Sequence, residues 1–129
     1  MTLRELSQLY HLRREVYKEK KRLVELRARA ENTGVQLSGM PHSIDVSDKV
    51  GEMATLLAYQ ERVIQEKITR CEIERILLEE YIAAVPDSLT RRIMTERFVN
   101  GKTWRKVADS VGGTEDSAKK TCYRYINSH

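Results

Sequence analysis

The chain has 129 residues, a net charge of +4, 33% charged residues and only 6% aromatics, with a single Trp and a single Phe. That is one domain's worth of sequence, too poor in aromatic and β-branched residues for a compact all-β fold and too poor in Gly, Pro and Cys for a collagenous or disulfide-dense one. No run approaches the roughly 18 apolar residues of a membrane span, and the first twenty residues carry charge at every turn, unlike a signal peptide.

Charge is unevenly spread. Residues 1–46 hold nine Lys/Arg and six Asp/Glu (+3), residues 47–86 hold five and eight (−3), and residues 87–129 hold nine and five (+4). An acidic middle between basic ends points the ends toward a polyanion. Cys71 and Cys122 are far apart, and His11, His42 and His129 are dispersed, so no metal-ligand spacing exists and no metal or cofactor is expected. Two free thiols fit a reducing cytoplasm.

The first predicted element is one long helix over about 2–31, roughly 45 Å in length. Leu9, Leu12, Val16, Leu23, Leu26 and Ala30 recur at spacings of three and four, broken only by Glu19, and Leu3 and Leu6 extend the stripe. The run Lys18–Arg22 reads as a solvated outer face. Gly34, Gly39 and Pro41 then punctuate a predicted loop at about 32–46, in which His42 is a loop residue. A second long helix follows from Ser47, its predicted N-cap, with Asp48 at the positive end of the dipole, to about Ala84. Its seam is Val50, Ala54, Leu57, Glu61, Ile64, Ile68, Cys71, Arg75, Leu78, Ile82 and Val85. Beyond residue 73 the apolar surface widens through Ile73, Ile76, Leu77 and Tyr81, which predicts packing against the C-terminal segment. Two amphipathic helices joined by a loop fold most simply as an antiparallel hairpin. The same seams also suit coiled-coil pairing between chains, and self-association through the long helices stays open.

Pro86 ends the second helix. Three short helices are predicted beyond it. Asp87 or Ser88 caps the first, with Leu89, Ile93, Met94 and Phe98 inward and a stop at Asn100–Gly101. Thr103 caps the second, with Trp104, Val107, Ala108 and Val111 inward. Gly112 turns the chain with positive φ. Thr114 caps the third, with Ala118, Cys122 and Ile126 or Tyr125 inward. Small Ala108 and Ala118 permit a close crossing. This is the spacing of a helix-turn-helix. The predicted fold is therefore all-α, with a long antiparallel helical hairpin or coiled coil over residues 1–85 and a compact three-helix helix-turn-helix domain over 86–129.

Residues 96–126, ERFVNGKTWRKVADSVGGTEDSAKKTCYRYI, resemble the promoter-reading C-terminal domain of bacterial sigma factors. The whole layout, with GMP at 39–41 and SD at 47–48 joining an N-terminal helix to a long one, resembles small phage-encoded sigma-like transcription regulators. Gly113 departs from the resemblance where an apolar turn residue is usual, and Glu115 and Asp116 open the third helix where neutral residues are commoner. The resemblance implies that the third helix enters the major groove of double-stranded DNA. Thr114, Glu115, Asp116, Lys119, Lys120 and Tyr123 would lie nearest the bases, and Lys102, Arg105, Lys106 and Arg124 would meet phosphates. Glu115 and Asp116 also suit the helix dipole with no DNA present. The setting it implies is the cytoplasm of a bacterial host, with RNA polymerase a candidate partner.

Three functions remain open: a phage or prophage transcription regulator, a DNA-packaging protein like a terminase small subunit, and a helical interaction protein docking on RNA polymerase or another partner. The terminase reading prefers an N-terminal DNA-binding domain. No catalytic motif is visible. Cys122 falls on an inward face and His129 is terminal, so no enzyme is expected.

Overall fold

The computed structural model describes residues 1–38 and 44–129, with side chains described for 1–32 and 49–129. Gly39, Pro41 and His42 lie outside that set. Among the described residues the secondary structure is all helical, with α1 at Leu3–Leu6, α2 at Gln8–Ser38, α3 at Ile44–Ala83, α4 at Ser88–Met94 running into a π-helical turn at Thr95–Val99, α5 at Trp104–Val111 and α6 at Glu115–Ser128. No helix among the described residues is long and apolar enough to cross a membrane.

The predicted first helix is divided at Ser7. A capping box opens it: the Glu5 amide donates to Thr2 Oγ1 at 3.2 Å, and the Thr2 amide donates to Glu5 Oε2 at 3.3 Å. Thr-x-x-Glu is a sequence signature of a helix start. Ser7 Oγ then donates back to the Leu3 carbonyl at 2.9 Å. Such back-bonding competes with the helical ladder and bends it; the next rung, from the His11 amide to the Ser7 carbonyl, is stretched to 3.4 Å.

The long helices both overrun the loop predicted at 32–46. α2 continues through Gly34 to Ser38, and α3 begins at Ile44, so Ser47 lies inside a helix and is not its cap. A helical Gly costs only about 1 kcal/mol relative to Ala, too little to stop a helix by itself.

Two compact units divide the chain, Arg14–Thr69 and a second made of Met1–Arg13 with Arg70–His129. Both unit boundaries fall within the long helices, at 13/14 and 69/70.

In the Arg14–Thr69 unit, Glu15 pairs with Lys67, Glu19 with Gln60, and Arg27 with Glu61. These pairs join the two long helices within this unit. Val16, Leu23 and Ile64 are buried between them, whereas Val50 stays 43% exposed. The seam passes through Gln60 rather than Glu61. Gln60 is buried, and its Nε2 donates to the Glu19 carbonyl at 2.9 Å and to the Glu19 carboxylate. The one polar break in the first seam thus meets the polar residue opposite it, because a buried amide needs a partner. Glu61 remains in solvent beside Arg27.

The second unit has its own core. Leu6 and Leu9 of the N-terminal helices, Leu78, Ile82 and Val85 around the end of α3, and Ile93, Met94, Phe98, Val99, Val107, Ala118, Cys122 and Ile126 form one buried cluster. Three short helices offer little apolar surface of their own, and burial of roughly 25 cal/mol per Å² draws the chain's two remote segments into the same core. The π-helical turn inserts one residue, with the Asn100 amide reaching the Thr95 carbonyl at 3.0 Å, and lets adjacent Phe98 and Val99 both face inward.

Two apolar assignments are corrected. Leu89 is 47% exposed, and Thr90 is buried in its place, its hydroxyl on Asp87 Oδ2 at 2.7 Å. Of the widened surface on α3, only Tyr81 packs on the core; Ile73, Ile76 and Leu77 remain exposed.

Candidate nucleic-acid interface

The α5–turn–α6 segment is built by local bonds. Thr103 Oγ1 accepts the Lys106 amide at 3.3 Å, and Thr114 Oγ1 accepts the Ser117 amide at 3.1 Å, so both helix starts are capped as predicted. Between them Gly112 sits at φ +79° and ψ +27°, the left-handed region. The amides of Gly112 and Gly113 both donate to the Ala108 carbonyl, at 2.9 and 3.0 Å. This closes α5 and reverses the chain within three residues. Ala108 and Ala118 are both 3% exposed.

Burial of Ala118, Cys122 and Ile126 turns the opposite side of α6 to solvent. Thr114, Glu115, Asp116, Lys120 and Arg124 are exposed, and Lys119 and Tyr123 are half-buried at the edge of that face. Asn127, absent from the predicted set, is exposed beside them. Lys120 is not a free cation: its Nζ lies 3.0 Å from Asp116 Oδ2, one turn back. An exposed pair of this kind is worth about 0–1 kcal/mol, less than the roughly 1–3 kcal/mol of a good base contact, so it can open.

Tyr123 meets Trp104 edge to face at 5.8 Å, and the Arg97 guanidinium lies 4.8 Å over the Trp104 ring. Trp104 is therefore half-buried, where its sequence position had predicted a largely buried core residue. Its partners lie 7 and 19 residues away on two other elements, so the period of its own helix does not reveal them.

The basic residues divide sharply. Arg91 Nη1 donates to the carbonyls of Val85 and Pro86 at 2.7 and 3.0 Å, Arg92 Nη2 to Ser110 at 2.9 Å, and Arg97 Nη1 to Lys102 at 3.0 Å. These three hold backbone. Lys102, predicted to meet phosphate, forms an ion pair with Glu96. Arg105, Lys106 and Arg124 are exposed, and among the described residues no ion pair engages them or Lys119. Unengaged positive charge is thus carried by four of the nine Lys and Arg residues of the C-terminal third.

Cys122 is fully buried, and desolvation pushes its thiol up to about 11, a rise the nearby Arg97 charge only partly offsets. Such a thiol is inert at neutral pH. His129 stacks on Tyr125 at 4.3 Å. Among the described residues no group of three His, Cys, Asp or Glu could hold a metal ion.

No protein-family model, no curated protein and no solved structure matches this chain.

Proposed function

We propose that this chain is a DNA-binding transcription regulator of a phage or prophage, reading the major groove with the exposed face of α6 while Arg105, Lys106 and Arg124 neutralise phosphates. One observation supports this above the others. A capped helix follows a left-handed glycine turn, its outer face is polar, and of the cations on α5 and α6 only Lys120 is engaged by a carboxylate among the described residues, which leaves Arg105, Lys106, Lys119 and Arg124 in no ion pair. Phosphate contacts supply affinity, and base edges supply discrimination. Lys119 and Lys120 suit guanine O6 and N7, and Glu115 and Asp116 suit the cytosine amino group.

The test is fluorescence anisotropy of the full chain with labelled duplexes across a salt series. Binding should weaken linearly in log salt. Lys106→Ala and Arg105→Ala should each flatten the slope by about one unit on every sequence. Lys102→Ala should change it less, because Glu96 already holds that charge. Absence of salt-dependent binding to any duplex refutes the proposal.

A second reading has one observation in its favour. Glu115 and Asp116 are exposed at the start of α6, where they would meet the phosphate-lined groove. A basic protein surface, such as one on RNA polymerase, would suit them. Glu115→Gln with Asp116→Asn should then weaken protein capture and leave DNA affinity unchanged or tighter.

A further inference from the structure

The side of α3 that faces away from the second unit's core is apolar and uncovered. Ile73, Ile76 and Leu77 are 53%, 49% and 47% exposed, while Leu78 and Ile82 on the opposite side are each 3% exposed. This face is bracketed by Arg70 one turn before and Glu80 one turn after, both exposed and neither in an ion pair among the described residues. Arg75, which lies between them on another side of the helix, is already neutralised by Glu72 at 2.9 Å and Glu79 at 3.2 Å. Desolvation there would add no unpaired charge.

The spacing of the four outward residues is symmetric. Arg70, Ile73, Leu77 and Glu80 follow one another at three, four and three residues, the a–d–a–d order of a heptad. Turned end for end about its midpoint at position 75, the row maps onto itself with charges exchanged. Arg70 then falls opposite Glu80, and Ile73 opposite Leu77. In a parallel pair, Arg70 would instead face Arg70 and Glu80 face Glu80, and like charges so placed oppose association.

The geometry points to a second copy of this chain as the occupant of this face, the two α3 helices docking antiparallel about a two-fold axis at position 75. Ile73 and Leu77 of each copy form the apolar centre, and two Arg70–Glu80 pairs close its ends. An isologous contact of this kind is self-complementary by construction. Its footprint is about three helical turns, well under the roughly 800 Å² per partner of a standard interface, so the dimer is weak and concentration-dependent. The inference does not rest on DNA binding.

Sedimentation equilibrium of the full chain up to about 1 mM, with circular dichroism of each variant, tests it. The wild type should show a reversible monomer–dimer equilibrium. Leu77→Asp should abolish the dimer with helicity unchanged, since the side chain it replaces is exposed. Arg70→Glu and Glu80→Arg should each weaken the dimer by about tenfold or more, and the double variant Arg70→Glu/Glu80→Arg should restore it to within about threefold. A wild type that stays monomeric throughout overturns the inference. So does a dimer that survives Leu77→Asp, which uses another face, or a double variant no better than the singles, which has another register.

Discussion

Gly112 and Gly113 are adjacent and chemically identical, yet replacing each by Ala should move stability in opposite directions. Gly112 lies at φ +79°, where an added Cβ is strained whatever the space around it. Gly113 has no such φ, and an added Cβ would meet nothing within 4 Å. A left-handed conformation costs an L-residue about 1–2 kcal/mol. Against this, Gly→Ala stiffens the unfolded chain and contributes roughly 0.4–1 kcal/mol wherever the native backbone accepts it. Gly113→Ala should therefore stabilise by about 0.4–1 kcal/mol, and Gly112→Ala should destabilise by up to about 1.5 kcal/mol once the two effects are combined. The gap between the variants is about 1–2 kcal/mol, or roughly 3–10 °C in Tm for a chain of this size. Urea titration followed by circular dichroism at 222 nm measures it, with equal m-values required for a direct comparison. Equal midpoints for the two variants would refute the assignment of the turn to Gly112. A larger loss at Gly113 would place the left-handed residue one position later and shift the phase of α6.

Cys122 should resist thiol reagents at pH 8 in the folded chain and react on unfolding, while half-buried Cys71 reacts first; equal native rates would contradict the burial of Cys122. Because burial raises this thiol from its ordinary 9.0 to about 11, its stabilising contribution is complete below pH 9 and is lost as pH rises toward 11, a loss that Cys122→Ala should remove from the alkaline limb of a stability profile. Asp87 runs the other way: hydrogen bonds from the Thr90 hydroxyl and amide hold its carboxyl below the usual range, so its contribution is present at neutral pH and lost on acidification, and Asp87→Ala should lower Tm at pH 7 more than at pH 3. Trp104→Ala should cost less than the roughly 3–5 kcal/mol of a fully packed aromatic, and should remove the ring contacts of Tyr123 and Arg97 together; a double-mutant cycle with Arg97→Ala should show coupling of about 0.5–2 kcal/mol.

Much of the fold is legible along the chain because it is decided locally. Asp87, Thr103 and Thr114 cap helices through bonds spanning three residues, and Gly112 ends α5 through a bond to Ala108 four residues back. Thr2 and Glu5 form a capping box of the same kind, readable from Thr-x-x-Glu. The inward faces of α5 and α6 follow from helical period, and Val107, Ala108, Ala118 and Cys122 are buried accordingly. Periodicity fails where two phases are nearly equal. Glu61 and Gln60 differ by one position, and Glu19, 41 residues away, decides between them by accepting from Gln60 with both its carbonyl and its carboxylate.

The candidate interface divides in the same way. That α6 turns a polar face outward is carried by its own sequence. Which cations remain to meet a polyanion is not, because a count of charge does not reveal how each is used. Arg92 reaches the Ser110 carbonyl across 18 residues, and Arg13 reaches the Val99 carbonyl across 86. A guanidinium on a flexible stem finds whichever unpaired carbonyl the packing brings near. Leu89, Ile73, Ile76 and Leu77 teach the same lesson from the apolar side. Local sequence determines which residues can be buried, but burial takes a facing surface, and only the tertiary structure determines where that surface lies.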